Sequence, residues 1–152
     1  MMKNYDLLKI AKLTSKLKNQ EDIKAFEDAV WKLGNTHDKD ILSELVDLFD
    51  DKCTYQEVMY SLIHAVEQAP NEIYIPLIIS KIPRGLEKYP YWIEILCNRI
   101  FNEKSCLDLF RKNMFFIPKE KLFELFEIME RESPHHTELI QELHKELNKQ
   151  KG

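Results

Sequence analysis

Apolar residues recur at spacings of three and four along almost the whole chain. Two clear runs are Leu42, Leu45, Val46 and Phe49, and then Val58, Met59, Leu62, Ile63 and Val66. Because an α-helix completes a turn in about 3.6 residues, this spacing places apolar side chains along one face of a helix. The 152 residues include only 3 Gly and 6 Pro, which also favours helices over turn-rich sheets. The pattern predicts an all-α protein.

Polar and helix-breaking residues divide this pattern into about nine helices. The predicted breaks are Asn19 and residues 34–36, 51–54, 70–71, 83–90, 102–104, 117–118 and 133–134. Thr54 and Glu57 have the spacing of a capping box, which predicts a helix start there. Helix starts recur about every sixteen to eighteen residues, so that helix pairs would repeat with a period in the low thirties. We expect antiparallel helical hairpins, arranged as an α-α superhelix of the HEAT type or as an irregular helical bundle.

Length and composition predict a single helical domain over residues 1–152. Hydrophobic residues make up 44% of the chain, which suffices for one core, and we expect the lysine-rich end, residues 148–152, to fray. No stretch is apolar enough for a signal peptide or a membrane span, and the 3 cysteines include no Cys-x-x-Cys pair. The sequence therefore predicts a cytoplasmic protein with reduced cysteines and no membrane association.

The acidic residues are concentrated in one segment. Between Asp38 and Glu72 the chain has nine acidic side chains and two basic ones, Lys39 and Lys52. The rest of the chain is nearly balanced, and the formal net charge of -4 argues against direct nucleic-acid binding. Because the fold must hold these like charges together against their repulsion, their concentration favours contact with a positively charged partner.

Several of these acids are expected to share helix faces. On the helix predicted to start near Asp38, steps of four, three and four connect Asp40, Glu44, Asp47 and Asp51. On the next helix, steps of three, four and three connect Glu57, Tyr60, His64 and Glu67, opposite the apolar stripe. Acids around Tyr60 and Tyr74 would suit capture of a basic partner, although charged outer faces are also the norm for surface helices. The candidate binding residues are Asp47, Asp50, Asp51, Glu57, Tyr60, His64, Glu67, Glu72 and Tyr74.

The sequence offers little for catalysis. His64 and Glu67 share a helix face, but a metal site needs further ligands and no second pair of this kind stands out. Asp50-Asp51-Lys52 resembles the acidic and lysine residues of nucleases, but that chemistry uses ligands on strands and none is predicted. There is no glycine-rich phosphate loop or nucleophile motif, and His135-His136 is expected at the surface. We expect no catalytic residue, no metal site and no cofactor.

Four segments carry a resemblance to a known family. They are Trp31-Lys32-Leu33-Gly34, Leu48-Phe49-Asp50-Asp51, the stretch from Glu57 to Glu67, and Ile73-Tyr74-Ile75. Together they resemble the immunity protein 30 family of bacterial polymorphic toxin systems. The resemblance implies a small helical protein that binds and neutralises a cognate toxin C-terminal domain, often a nuclease, in a contact-dependent growth inhibition system. The acidic candidates would then be counter-charges to the toxin, with Tyr60, Tyr74 and His64 as anchors.

Two other classes use the same sequence features. A helical-repeat adaptor would bind a peptide or helix of another protein in a concave groove and would need no toxin. A small metal-dependent or ligand-dependent helical enzyme would retain its ligand after purification. The oligomeric state is left open by the sequence.

Overall fold

The computed structural model describes residues 3–149 and contains nine α-helices in that range. In chain order they are α1 (Asn4–Thr14), α2 (Gln20–Leu33), α3 (Lys39–Val46), α4 (Gln56–Val66), α5 (Asn71–Lys88), α6 (Pro90–Phe101), α7 (Lys104–Asn113), α8 (Lys119–Glu132) and α9 (Thr137–Lys149). Short 3-10 turns, Met114–Phe116 and Pro134–His136, precede α8 and α9. No strand occurs among the described residues. The prediction of an all-α fold with about nine helices is confirmed.

The helices group into two compact units, one ending at Tyr74 and the other beginning at Ile75. The boundary lies within α5. Folding as a single domain and a HEAT-type superhelix both stay predictions. Residues 148–152 were expected to fray. Residues 148 and 149 belong to α9, and the other three lie outside the described range. No helix of residues 3–149 has both the length and the apolar character that crossing a bilayer requires.

In the first unit, α2 packs against α1 and α4, and α3 also contacts both α1 and α4. The Ser61 hydroxyl of α4 donates a hydrogen bond to the Glu27 carboxylate of α2 at 3.1 Å. Farther along both helices, Gly34 lies against Ala65 and Gln68. A β-carbon on residue 34 would be 3.7 Å from the Ala65 Cα and 3.7 Å from the Gln68 Cγ. These two contacts show that α2 and α4 run side by side in the same direction.

In the second unit, α6 packs against α7 and α8, and α8 packs against α9. Phe101 lies at the centre of this core, with its ring 5.0 Å from that of Phe110 and 6.4 Å from that of Phe126, measured between centroids. Gly85 of α5 faces α6 so closely that a β-carbon there would lie 2.8 Å from the Ile93 Cβ. The missing side chain of Gly85 therefore permits this approach.

The predicted break at residues 83–90 is wrong for most of its length. Helix α5 continues through Pro83 to Lys88, and Tyr89 alone separates it from α6. A proline inside a helix removes one backbone hydrogen bond and costs about 3 kcal/mol. Burial offsets this cost, because the same helix buries an apolar stripe made of Ile75, Ile78, Ile79 and Ile82.

The break between α3 and α4 is longer than predicted. Helix α3 ends at Val46, where the Asp47 N–H bonds to the Ser43 carbonyl, and the Phe49 N–H then bonds to the Val46 carbonyl three residues earlier. This tighter turn buries Phe49 outside the helix. The predicted capping box is also wrong, because α4 begins at Gln56 and no side chain caps its start.

Asp38 caps α3 and offers a test of how the acidic segment is held in place. Its Oδ1 accepts hydrogen bonds from the Asp40 and Ile41 N–H groups at 2.9 and 3.2 Å. We expect Asp38→Ala to lower the free energy of unfolding by about 0.5–2 kcal/mol, since these N–H groups lose their acceptor. Urea denaturation measures the change. Asp38→Asn retains an acceptor and should recover most of the stability, and Asp40→Ala, in the same exposed turn, is the control. Equal losses for Asp38→Ala and Asp40→Ala would contradict a capping role.

Candidate functional site

Side chains of helix α1 contact some of the acidic residues of the segment from Asp38 to Glu72. Lys12 of α1 forms an ion pair with Glu44 of α3. The Tyr5 hydroxyl donates a hydrogen bond to the Asp38 carboxylate at 3.4 Å. The charge of Asp38, followed by burial and by the charge of Asp40, raises the pKa of the Tyr5 phenol. The acids at the start of the segment are therefore occupied by contacts within the first unit.

The four acids expected along one edge of α3 do not form a single helical row. Asp40 and Glu44 lie on α3, Asp47 is the residue that caps its C-terminal end, and Asp51 lies in the following connection. In the same connection, the Asp50 carboxylate accepts a hydrogen bond from the Lys52 N–H at 2.9 Å and closes a turn. The early end of α3 is the reason, because helical spacing no longer relates the later acids to the earlier ones.

Helix α4 has the predicted polar face. Glu57, Tyr60 and His64 are exposed along one side, with 37% of the Tyr60 side chain accessible. The opposite side is buried and consists of Val58, Met59, Leu62, Ile63 and Val66. Glu67 caps the C-terminal end of the helix and is half-buried. We refer to Glu57, Tyr60 and His64 as the α4 face.

The last two candidate residues have different environments. Glu72 is exposed in the first turn of α5, whereas only 3% of Tyr74 is accessible. The expectation that Tyr74 is an accessible anchor is therefore corrected, because its side chain belongs to the interior. Its position explains the difference, since Tyr74 lies one turn before Ile78 on the buried stripe of α5. Tyr60 is the candidate tyrosine that remains at the surface.

A groove of about 960 Å³ in the first unit is lined mainly by residues of α2 and α4, beside the contacts that join the two helices. Its walls include Ile23, Glu27, Trp31, Ser61, His64 and Gln68. Trp31 is 80% exposed, a large fraction for so apolar a side chain. Trp31 is not among the contact residues predicted from the sequence. A signal was present, because the buried stripe of α2 is Phe26, Ala29, Val30 and Leu33, and Trp31 falls outside it.

The charged side chains that line the groove differ in whether an opposite charge pairs with them. Asp28 forms an ion pair with Lys32 one turn later at 2.9 Å. Glu27 is half-buried and accepts the Ser61 hydroxyl at 3.1 Å. No lysine or arginine in the described part of the chain pairs with Glu27. Lys24 also lines the groove and is exposed.

The second unit contains a buried polar cluster. The Ser133 hydroxyl donates a hydrogen bond to the buried Glu94 carboxyl at 3.1 Å, and burial raises the pKa of Glu94. His135 is exposed as expected, but His136 is buried, which corrects the expectation for that residue. Burial, and then the charge of His135, lower the pKa of His136, opposed by a hydrogen bond with the Asn98 backbone. Within residues 3–149, no three His, Cys, Asp or Glu side chains are grouped as a metal site would require.

The first unit thus has the features of a protein-binding module. Its helices are held by apolar packing, an exposed tryptophan lines an open groove, and His64 of the acidic, aromatic α4 face lines the same groove. The family model described as immunity protein 30 matches residues 13–110, more than half of the chain, and the chain belongs to this family. Membership implies an immunity protein whose partner is a toxin protein. No curated protein and no solved structure matches the chain.

The buried imidazole of His136 predicts a pH dependence of stability. Its pKa in the folded chain is lower than the ordinary value of 6.5, so the unfolded chain takes up the proton first as the pH falls. The contribution of His136 is fully present above about pH 6.5 and is lost as the pH falls toward the folded pKa. We expect His136→Gln to lose less stability than the wild type between pH 7.5 and 5.5, as measured by urea denaturation.

His37 provides the control for this measurement because it is exposed and lies in the first unit. His37→Gln removes an exposed imidazole and is measured beside His136→Gln at each pH. Glu94 acts in the opposite direction, since its raised pKa favours folding as the pH falls. The comparison is therefore made between variants at each pH. An identical loss for the wild type and His136→Gln would mean that His136 is not buried in its neutral form.

Proposed function

We propose that this immunity protein binds and neutralises a cognate toxin C-terminal domain, and that the α4 face takes part in the contact. The observation that carries the function is the family match over residues 13–110, which spans α2 to α6 and therefore includes α4. We further propose that the toxin is a nuclease of a contact-dependent growth inhibition system and that the complex forms in the cytoplasm. Asp50 and Asp51, which precede α4, extend the face with negative charge.

The acids would act as counter-charges to the basic substrate-binding surface of a nuclease. In the proposed complex they occupy the place of nucleic-acid phosphates, and the set is Asp47, Asp50, Asp51, Glu57, Glu67 and Glu72. Asp51, Glu57 and Glu72 are exposed, and the other three acids are half-buried. Charges near the surface mainly raise the association rate, because they steer the encounter over distances of about a Debye length. The contribution of an exposed acid to the final affinity is small, on the order of 0–1 kcal/mol.

Tyr60 would provide the short-range anchor. A tyrosine buries a large, rigid ring on binding and can still satisfy its hydroxyl group, which is why tyrosines are frequent at the centres of interfaces. His64 lies one turn farther along α4, also exposed, and would contact the toxin beside Tyr60. The dissociation rate would then depend mainly on Tyr60 and His64 and less on the acids.

The helical-repeat adaptor is the second candidate, and the parallel arrangement of α2 and α4 around a groove favours it. The two functions differ in their salt dependence. A steered complex with a basic toxin loses association rate steeply as salt rises, whereas an apolar peptide in a groove does so only weakly. Stopped-flow association at two salt concentrations separates them.

The growth-rescue assay tests the proposed function. The C-terminal domain of the large secreted protein encoded beside this gene is expressed with and without this chain, and viability is scored. We expect the chain to restore growth and a triple variant of Asp50, Asp51 and Tyr60 to rescue less well. A toxic domain that this chain fails to rescue, or a domain that is not toxic, would favour the adaptor.

A second test divides the affinity between Tyr60 and the acids. We expect Tyr60→Ala to weaken toxin binding by about 2 kcal/mol, and each single acid-to-alanine change by less than about 1 kcal/mol. Isothermal titration with a catalytically inactive toxin domain measures both. Tyr91→Ala is the control because Tyr91 is also an exposed tyrosine but belongs to the second unit. If single acids had larger effects than Tyr60, the proposed division of roles would be wrong.

A further inference from the structure

The α2–α4 groove presents an uncovered indole ring. Trp31 is 80% exposed, and no aromatic ring or charged group among residues 3–149 stacks on it. Tryptophan gives the largest binding contribution of the common interface residues because its ring buries much area with little loss of freedom. It also offers the best aromatic face for a cation. Trp31 is therefore a second candidate for a short-range contact on the surface of the first unit, besides Tyr60.

Glu27 provides a negative charge beside this ring. It lies one turn before Trp31 on α2, and residues at this spacing are neighbours on a helix surface. An ionised carboxylate has about four acceptor positions, and the Ser61 hydroxyl uses one of them. Within the described chain no cation takes the others. Because Glu27 is half-buried, its charge is less screened than that of a fully exposed acid.

The other charged groups of the groove locate the negative charge more closely. Lys32 pairs with Asp28 at 2.9 Å, so these two charges compensate each other. Lys24 contributes a positive charge one turn before Glu27 on α2, whereas Trp31 lies one turn after Glu27. The groove as a whole is close to neutral, and its negative part is the portion formed by Glu27 on the side of Trp31. Charge complementarity therefore favours a single cationic group there over a long basic stretch.

We propose that this groove receives an arginine side chain of the toxin, whose guanidinium group stacks on Trp31 and donates hydrogen bonds to Glu27. A guanidinium group suits this arrangement because it is planar, stacks on aromatic rings and pairs with a carboxylate through two parallel hydrogen bonds. The proposal rests on the proposed function, since it names the part of the toxin that this chain recognises. Ser61 and His64 belong to both the groove wall and the outer side of α4, so the groove continues into the α4 face.

Binding of a catalytically inactive toxin domain to variants of this chain tests the proposal. We expect Trp31→Ala to raise Kd by about 30-fold and Glu27→Gln by about 10-fold. Trp31→Phe keeps an aromatic face and should lose less, whereas Trp31→Leu keeps an apolar side chain without that face and should bind nearly as weakly as Trp31→Ala. Both positions tolerate change, because Trp31 is mostly exposed and glutamine can still accept the Ser61 hydrogen bond.

Matched controls are present in the chain. Phe116 is 82% exposed and belongs to the second unit, so Phe116→Ala removes an exposed aromatic ring elsewhere. Glu21 is an exposed acid at the start of α2 and outside the groove, so Glu21→Gln removes a charge from the same helix. Neither control should change Kd by more than about twofold.

A double variant and a spectroscopic measurement complete the test. If one guanidinium group contacts both residues, Trp31→Ala with Glu27→Gln should weaken binding by less than the product of the two single effects. Tryptophan fluorescence reports the groove directly, because Trp92 is only 1% exposed and acrylamide reaches Trp31 in the free chain. Binding of a toxin domain without tryptophan should protect Trp31 from quenching.

Each result that would contradict the proposal has a different meaning. Wild-type binding by Trp31→Leu, with loss for Trp31→Ala, would mean that an apolar side chain occupies the groove. Wild-type binding by both Trp31→Ala and Glu27→Gln would place the interface elsewhere while the proposed function stands. Association of the free chain that Trp31→Ala abolishes in sedimentation would identify a second copy as the occupant. If the wild type neither binds nor rescues, the proposed function fails, and this proposal fails with it.

Discussion

The burial of one face of α4 is the interaction on which the surface of the first unit depends. Val58, Met59, Leu62, Ile63 and Val66 are almost completely inaccessible, and each contributes about 1.5–3 kcal/mol by leaving water. A rotation of α4 about its axis would expose several of them together. The helix is therefore fixed in one orientation, and Glu57, Tyr60 and His64 face outward as a consequence. The candidate face follows from packing and needs no contact of its own to hold it.

Helical periodicity predicted the fold class well because it reports the buried stripe directly. The same reasoning failed where local signals and burial disagreed. Prolines predicted a break at residues 83–90, but the cost of Pro83 is small beside the burial of the isoleucine stripe that leads up to it. The early end of α3 was missed for a related reason. Phe49 continues the apolar spacing and is buried, yet a tight turn and not a helix brings it into the core.

The number of acidic residues in the segment could be read from the sequence, but their arrangement on the surface and their partners could not. Tyr5 and Asp38 are 33 residues apart, and Lys12 and Glu44 are 32 apart, so no local window relates them. Their contacts compensate acids that look unopposed in the sequence. Tyr74 shows the complementary error, because its position near acids suggested exposure whereas its position on the α5 stripe determines burial. Trp31 could have been found by asking which large apolar residue falls outside the buried stripe of its helix.

Attraction and selection are separate tasks for an immunity protein, and in the proposed complex different residues of the first unit would serve each. Exposed acids attract any strongly basic surface, so they speed the encounter without distinguishing a cognate toxin from another. Discrimination needs a site that fits one partner and leaves polar groups unpaired with the wrong one. In the proposed complex, Trp31 and Glu27 of the α2–α4 groove meet this requirement. A partner without a cation there would cover a half-buried carboxylate and leave it without compensation, which costs more than a lost surface ion pair.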